Sequence, residues 1–401
     1  RMPYLSIVGS HTINGVAELH TELLKTTVFK DFYKLFPERF QNKTNGITPR
    51  LWLRNVNPEL SKIITAKIGD GWITDLQQLR QLEAFADEPE FQQSWRSVKH
   101  LKKEQLANWL KQNGGIKIDP ESLFDVQIKR IHEYKRQLLN ILHVIFIYNQ
   151  MLEHPELPFV PRTFLFGGKA APGYYIAKLI INLANDVAHV VNHDPAMQDR
   201  LKVIFVPNYN VSVAEKIIPA TDISQHISTA GTEASGTGNM KFILNGALIL
   251  GTMDGANIEI AEEVGSENIF TFGMSSDEVS SLAKSGYNPR VSYQHNPGLR
   301  EALSMINTGY FNRDKPHLYN DLYNSLVFED KYMLLEDFAS YVECQQRVIK
   351  TWQEPEKWTR MSILNTAASG KFSSDRTIAE YAKDIWELEP VKVELPGKKV
   401  R

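Results

Sequence analysis

The chain has 401 residues, of which 42% are hydrophobic and 23% are charged, and its 45 Lys and Arg residues nearly balance 47 Asp and Glu residues. A net charge of −2 argues against a nucleic-acid or membrane-surface binder that relies on bulk positive charge. At about 150 residues per domain, this length predicts two to three folded domains with sizeable cores.

The single cysteine, Cys344, can form neither an intrachain disulfide nor a cysteine-based zinc site, which favours a reducing compartment. We therefore expect a cytoplasmic protein, or a plastid protein if the source is a plant. No apolar run approaches the ~20 residues of a membrane span, and we predict no metal site. The chain opens with Arg1 and a strand-like run over residues 3–10, so we expect either an unusual start or a piece of a longer protein.

Residues 1–45 are predicted to contain that strand, a helix over residues 16–24 and a loop. Residues 58–113 are expected to be helical and polar, with three tryptophans as packing anchors: Trp72, Trp95 and Trp109. Residues 315–390 are predicted to be rich in helix, and residues 391–401 to be a mobile tail.

From residue 124 onward, short β-rich runs alternate with helical periods, which is typical of βαβ units. Strands are predicted at 124–128, 163–166, 201–207, 247–255 and 268–273, with a further segment, 222–228, ahead of a glycine-rich loop. Helices are predicted over 138–152, from Ile176 to Val191 and from about Asn239. The fold class is therefore α/β with a doubly wound, mainly parallel sheet, in which ligands bind where the carboxyl ends of the strands open into loops.

The run KRIHEYKR follows the first of these strands and concentrates positive charge at its carboxyl end. Arginine offers a planar fork and lysine a point charge, so the run suits an anion. The alternative is a solvated, basic start of a helix. The cationic or titratable residues are Lys129, Arg130, His132, Lys135 and Arg136.

The run EASGTGNMK, from Glu233 to Lys241, places glycines and small hydroxyl residues ahead of a helix. Backbone N–H groups at a helix start can cradle a phosphate, and Gly236 and Gly238 let the backbone approach closely. A glycine-rich turn that merely caps a helix is the alternative. The run lacks the third glycine of a dinucleotide-binding fingerprint.

Lys241 would lie in the first turn of that helix among apolar residues, where desolvation could make it a nucleophilic amine that forms a Schiff base with an aldehyde. An ordinary exposed lysine is the alternative. Glu233 either binds a polar substrate or caps a turn. His11, His20 and His226 are isolated, and we interpret them first as structural or surface residues.

Four strings together resemble the α-glucan (glycogen, starch or maltodextrin) phosphorylases: GSHTINGVAELH, QNKTNGITPR, VQIKRIHEYKRQLLN and STAGTEASGTGNMKFILNGALILGTMDGANIE. The resemblance implies the two-lobe GT-B glycosyltransferase fold. Residues 1–45 would end the N-terminal lobe, and residues 46–390 would form a Rossmann-like C-terminal lobe with helical additions. It also implies attack of inorganic phosphate on the terminal non-reducing α-1,4 glucose, which releases glucose 1-phosphate with retention.

The same resemblance implies pyridoxal 5′-phosphate bound as a Schiff base on Lys241, with the cofactor's 5′-phosphate relaying protons to the substrate phosphate. Lys129 would face the cofactor phosphate, Arg130 the substrate phosphate, and Lys135 both. The resemblance assigns the rest of the cofactor pocket to Trp52, Tyr209, Gly236, Thr237 and Gly238, and the glucose site to Asn45, Tyr134, Glu233, Ala234, Ser235 and Gly236.

The partners implied are an α-1,4-glucan, phosphate, glucose 1-phosphate, an N-terminal phosphorylase lobe and, in the full-length family, a second copy in a homodimer. Neither nucleic acid nor a membrane is expected. Two alternatives stay open. The chain is a cofactor-binding fragment that is inactive without an N-terminal partner, or it is a nucleotide-sugar glycosyltransferase of the same fold, which should lack the Schiff-base lysine.

Overall fold

A computed structural model of the protein describes residues 2–198 and 200–391. The strands in this part of the chain are β1 (Ile13–Gly15), β2 (Phe40–Asn42), β3 (Leu123–Ile128), β4 (Arg162–Gly167), β5 (Leu201–Val206), β6 (Ile223–His226), β7 (Leu248–Gly251) and β8 (Phe270–Thr271). The helices are α1 (Met2–Gly9), α2 (Glu18–Leu23), α3 (Lys30–Leu35), α4 (Pro58–Ile68), α5 (Pro89–Gly114), α6 (Gln137–Glu153), α7 (Tyr175–His193), α8 (Val211–Ala220), α9 (Gly238–Leu244), α10 (Asn257–Val264), α11 (Ser276–Ser285), α12 (Pro289–His295), α13 (Pro297–Asn307), α14 (Asn320–Asn324), α15 (Leu334–Trp352), α16 (Pro355–Ala367) and α17 (Ser374–Tyr381).

Strands β3 to β8 form one parallel sheet in the spatial order β5-β4-β3-β6-β7-β8. The first strand of this sheet along the chain is β3. Strands β4 and β5 are added on one side of it, and β6, β7 and β8 are then added on the other side. The strand order therefore reverses between β3 and β6. In doubly wound sheets, ligands bind in the crevice at the carboxyl ends of the strands beside this switch point. The predicted α/β class with a mainly parallel sheet is confirmed.

Both faces of the sheet are buried, as expected for parallel strands. Along β4, Phe164 and Phe166 pack into one hydrophobic cluster, whereas Leu165 between them packs into a second. Residues of α6, α7, α13 and α15 complete the first cluster, and residues of α5, α8 and α9 contribute to the second. Because helices cover both faces, the strand ends are the accessible part of the sheet.

The predicted strand over residues 3–10 is wrong, because residues 2–9 form α1. A strand needs a neighbour for its backbone groups, and in the described part of the chain no strand pairs with this segment. A helix satisfies those groups internally. On one side α1 contacts α3, where the Tyr4 and Phe32 ring centroids are 5.1 Å apart.

The other flanking segments follow the prediction more closely. The helix expected over residues 16–24 is α2, and the helices expected within 58–113 include α4 and α5. Trp72 and Trp95 are buried, and Trp109 is partly buried against the same cluster. Residues 315–390 contain α14 to α17, as predicted. The proposed tail falls mainly on residues 392–401, which lie outside the described residues.

The domain boundary at residue 45 stays a prediction. Strands β1 and β2 form a separate two-stranded parallel sheet, while Ile47 already bridges to Ser373 beside α17. Across the described residues, none of the helices is both long and apolar enough to cross a membrane.

Candidate functional site

Two side chains meet where the strand order reverses. Lys129 follows the last residue of β3, His226 ends β6, and the Lys129 Nζ lies 3.1 Å from the His226 Nδ1. Burial, reinforced by the nearby positive charge of Lys135, lowers the pKa of Lys129 to about 7. Burial and the neighbouring Lys129 also hold the pKa of His226 well below its usual value. The Glu233 carboxylate offsets these effects on Lys129 only in part, and an anion in this crevice would supply further negative charge.

His226 is a functional candidate that sequence reasoning missed. It was interpreted as an isolated structural or surface histidine, yet it is buried beside Lys129, and its Nε2 lies 2.8 Å from the Ser224 Oγ. Its position ninety-seven residues beyond Lys129 hides this relation in the sequence. The available signal was its place near the end of the segment 222–228, just ahead of the glycine-rich loop.

Lys135 and Glu233 form an ion pair beside this crevice. The Tyr134 hydroxyl donates to Glu233 Oε1 at 3.4 Å, and the Lys135 Nζ lies 4.7 Å from the Tyr134 ring centroid. Burial opposes the charge on Lys135, but the adjacent Glu233 carboxylate outweighs it and raises the pKa of Lys135. Lys135, which is predicted to bind phosphate, and Glu233, which is predicted to bind glucose, are thus in direct contact.

The loop between β6 and α9 is held by Asp254, a second residue that sequence reasoning did not assign to the site. Asp254 is buried, and its carboxylate accepts hydrogen bonds from the backbone N–H groups of Gly231, Thr232 and Glu233 at 2.9, 3.3 and 2.8 Å. It also contacts the His20 Nε2 at 3.0 Å. This carboxylate fixes the backbone that carries Glu233. The available signal was its location at the carboxyl end of the predicted strand over residues 247–255.

Lys241 lies in the first turns of α9 with its Nζ 4.3 Å from the centroid of the Trp52 ring. Burial lowers the pKa of Lys241. Among the described residues, no hydrogen-bond or ion-pair partner is found for this amine. Asn245 donates to the backbone carbonyls of Trp52 and Lys241 at 2.6 and 3.0 Å, so the tryptophan and the lysine are held in fixed positions. A partly desolvated, unpaired amine of this kind is suited to nucleophilic chemistry.

The glycines before α9 allow its close approach to the sheet. Gly236 has a φ of +75°, which disfavours any other residue there. A Cβ on Gly238 would lie 3.4 Å from the His226 Cε1, so the start of α9 lies against the Lys129–His226 pair. Thr237 precedes Gly238 at the helix start.

Tyr209 follows β5 on the other side of β4. Burial raises its pKa to about 12, so the ring carries a neutral hydroxyl. A Cβ on Gly167 would come within 3.4 Å of the Tyr209 ring, and one on Gly168 would come within 1.9 Å of the Lys129 carbonyl oxygen. These two glycines let the loop after β4 lie directly against the Lys129 backbone.

Four residues that were expected to bind substrate are not drawn into these contacts. Arg130 is exposed, and in the described part of the chain its guanidinium has no hydrogen-bond or ion-pair partner. Ala234 is exposed and Ser235 is buried, with its hydroxyl donating to the Gly236 carbonyl at 3.0 Å. Asn45 donates through its backbone to the Val16 carbonyl at 3.1 Å, and within the described structure no hydrogen bond links it to Glu233.

Arg136 leaves the predicted anion cluster. It is fully buried, and its guanidinium donates to Asp337 at 2.7 Å and to the carbonyls of Ile227 and Ser228 at 2.6 and 3.3 Å. Because the guanidinium is fully buried and paired with a carboxylate and backbone carbonyls, its role is structural. The prediction that the KRIHEYKR run binds an external anion therefore does not extend to Arg136, whose charge is paired with Asp337.

The family model described as carbohydrate phosphorylase matches residues 1–388. The chain belongs to the carbohydrate phosphorylase family. It is 55% identical over 395 residues to the glycogen phosphorylase of Synechocystis sp. The aligned region covers 98% of this chain and 46% of that relative. It is 54% identical over 396 residues to the muscle form of human glycogen phosphorylase. The aligned region covers 99% of this chain and 47% of that relative.

The mouse brain form of glycogen phosphorylase shows 53% identity over 395 residues, with 98% of this chain and 47% of the relative covered. This carbohydrate phosphorylase chain therefore spans about half the length of the curated relatives it matches. The motifs named in the sequence analysis all lie within the matched region, so the predicted resemblance is confirmed at the level of the family.

Proposed function

We propose that this chain is the cofactor- and phosphate-binding half of an α-glucan phosphorylase, a glycosyltransferase of the two-lobe GT-B fold. The reaction is phosphorolysis of the terminal non-reducing α-1,4 glucose, with release of glucose 1-phosphate and retention of configuration. The observation that carries the proposal is the convergence at one switch point of the desolvated Lys129–His226 pair and the Lys135–Glu233 pair. Family membership supplies the reaction class.

The residues present fit pyridoxal 5′-phosphate. Lys241 would hold the ring covalently, since its amine is partly buried and unpaired within the described residues, and Trp52 and Tyr209 would line the ring. The 5′-phosphate would lie near Lys129 and Lys135 and against the backbone of Gly236, Thr237 and Gly238. When bound, the cofactor supplies through this phosphate a proton-relay partner for inorganic phosphate.

Two phosphate groups in one crevice repel each other, and the cations of the chain would neutralise their negative charge. At its present pKa of about 7, the Lys129 amine can take up a proton when a dianion arrives, because an adjacent negative charge favours the ammonium form. Arg130, which is exposed and unpaired in the described structure, offers its planar fork to the substrate phosphate. Lys135 would contact both phosphate groups, and it can exchange its bond to Glu233 for one to a phosphate oxygen.

The glucose site follows the loop after β6. The Glu233 carboxylate and the Tyr134 hydroxyl, already joined, would accept from and donate to the sugar hydroxyls. Backbone groups of Ala234, Ser235 and Gly236 would orient the ring, and Asn45 would approach from the segment after β2. Holding the sugar in one orientation over an anion lowers the barrier, because positioning alone is worth about 7–11 kcal/mol in favourable cases.

We further propose that turnover needs an N-terminal half, supplied by the same or a second polypeptide, and that the whole assembly forms a homodimer in the cytoplasm or, in a plant, in a plastid. Support comes from the coverage of the relatives, of which the chain matches about half. The test is glucose 1-phosphate release from maltodextrin and phosphate by this chain with and without a separately produced N-terminal half. We expect turnover only with both, and turnover by this chain alone would contradict the proposal.

The cofactor assignment is tested by borohydride reduction in the presence of pyridoxal phosphate, followed by peptide mapping. We expect a pyridoxyl group on Lys241, and none in Lys241→Arg. The exposed Lys216 on α8 provides the matched control, since Lys216→Arg should leave labelling unchanged. If no lysine is modified, the cofactor assignment is wrong, and the result favours a nucleotide-sugar glycosyltransferase.

A further inference from the structure

A cavity of about 420 Å³ lies between α6 and α15, beside the amino end of β4. The candidate functional site is at the carboxyl ends of the strands, so this cavity is at the opposite edge of the parallel sheet. Its walls are largely apolar and include Phe146, Met151, Phe159 and Ile349. The volume falls in the range of pockets that hold small molecules.

The floor of this cavity carries two buried side chains with polar atoms that lack a partner. Arg162 and His143 are each only 3% exposed, and both line the cavity. The Arg162 Nη2 is bonded to Asp125 and Gln345, but its Nε has no partner in the described structure. The same holds for the His143 Nδ1. Buried polar groups without partners cost free energy, so a ligand that supplies an acceptor would be favoured.

The described residues that line the cavity include cations and no carboxylate, although the buried Asp125, which does not line it, pairs with Arg162. Arg162 lies at the floor, and Lys350 and Arg200 line the cavity further out. Burial and the positive charge of Arg162 hold the pKa of His143 well below its usual value, so the imidazole is neutral and its Nδ1 can carry a hydrogen as a donor. A carboxylate could thus accept hydrogen bonds from Arg162 and from His143.

We propose that the cavity between α6 and α15 is a binding site for a small amphipathic carboxylate, whose head group bonds to Arg162 Nε and His143 Nδ1 and whose apolar chain of about eight carbons contacts Phe146 and Ile349. The site is independent of the phosphate cradle around Lys129. It takes no part in the proposed reaction.

The first test compares octanoate with 1-octanol and octylamine by isothermal titration calorimetry on the 401-residue chain. Pyridoxal phosphate and excess inorganic phosphate are present throughout, so that the cations near Lys129 are occupied. We expect one octanoate site with an affinity at least about tenfold higher than that for octanol, and no octylamine binding, because the site supplies donors and positive charge. Equal affinities for octanoate and octanol, or no heat with any probe because the cavity holds only water, would overturn the proposal.

Variants of residues that line the cavity test whether octanoate binds there. Ile349→Trp fills the cavity and should abolish binding of octanoate and octanol alike, whereas Lys284→Ala on the distant helix α11 is the matched surface control. His143→Phe keeps a ring in place but removes Nδ1, and it should weaken octanoate at least about fivefold while leaving octanol unchanged. Thermal unfolding of each free variant checks its fold. If His143→Phe is unfolded, the nitrogen shift of labelled His143 in the natural chain replaces it, and an unmoved Nδ1 signal with octanoate bound would overturn the head-group assignment.

Discussion

Lys129 occupies surroundings that disfavour its charge until an anion arrives. Burial and the nearby Lys135 lower its pKa to about 7, and its hydrogen-bond partner His226 brings no negative charge. A phosphate dianion reverses this balance, since an opposite charge at close range favours the ammonium form. At this site, binding of an anion and uptake of a proton are therefore coupled.

We expect inorganic phosphate to bind to the cofactor-free chain at about pH 8.5 with uptake of nearly one proton, because free Lys129 is then mostly neutral and Lys129 beside the bound dianion is charged. The uptake should fade below about pH 6, where Lys129 is already protonated in the free chain. Calorimetry in buffers of different ionisation enthalpy measures it. Lys129→Met should remove the uptake and Lys216→Met should retain it, so an unchanged value in Lys129→Met would refute the assignment.

At the scale of single elements, the loop from β6 to α9 is ordered by one carboxylate from outside it. Asp254 lies between β7 and α10 and accepts three consecutive backbone N–H groups of the loop, from Gly231 to Glu233. Hydrogen bonds to a charged acceptor are stronger than those between neutral groups. The orientation of Glu233 toward Lys135 therefore depends on Asp254.

We expect Asp254→Asn to lower the free energy of unfolding by about 2–3 kcal/mol, because an amide NH₂ would face N–H groups in place of an oxygen. Affinity for glucose 1-phosphate should fall as well, since Glu233 loses its fixed position. Urea denaturation and calorimetry measure the two effects. The exposed Asp277 offers a matched control, and equal destabilisation by Asp277→Asn would rule out a special role for Asp254.

At the scale of the whole molecule, a buried ion pair ties the sheet to the helices at its edge. Arg136 begins α6 and donates to Asp337 on α15 and to backbone carbonyls just beyond β6. Asp337 also accepts the backbone N–H of Met274 at 3.1 Å, beyond β8. One guanidinium thus joins the ends of several elements immediately below the candidate site.

We expect Arg136→Met to lower the free energy of unfolding by about 3–5 kcal/mol, because it leaves the Asp337 carboxylate buried without its counter-charge. Arg136→Met combined with Asp337→Leu should recover part of this loss. Breaking the surface pair Arg360–Asp87 by Arg360→Met should cost less than about 1 kcal/mol. Guanidinium denaturation of the three variants provides the comparison, and a single-variant loss as small as that of Arg360→Met would contradict the structural role of Arg136.

The sequence predicted the elements whose pattern is set locally. The strands from residue 124 onward and the long helices α6 and α7 were predicted because apolar periodicity reports which faces are buried. Residues 3–10 were predicted incorrectly, since the same apolar and β-branched residues suit a strand only where a neighbouring strand exists. Pairing is not a property of the segment itself.

From the sequence by itself came the family, the α/β class and the chemical types gathered in KRIHEYKR and EASGTGNMK, because these depend on residue identity and short spacing. Only the tertiary structure decided which of these residues meet. The reversal of strand order between β3 and β6 places His226 on Lys129, the loop fixed by Asp254 places Glu233 on Lys135, and packing turns Arg136 inward to Asp337. Contacts between residues about a hundred or more positions apart arise from the order and burial of the strands, which no local pattern records.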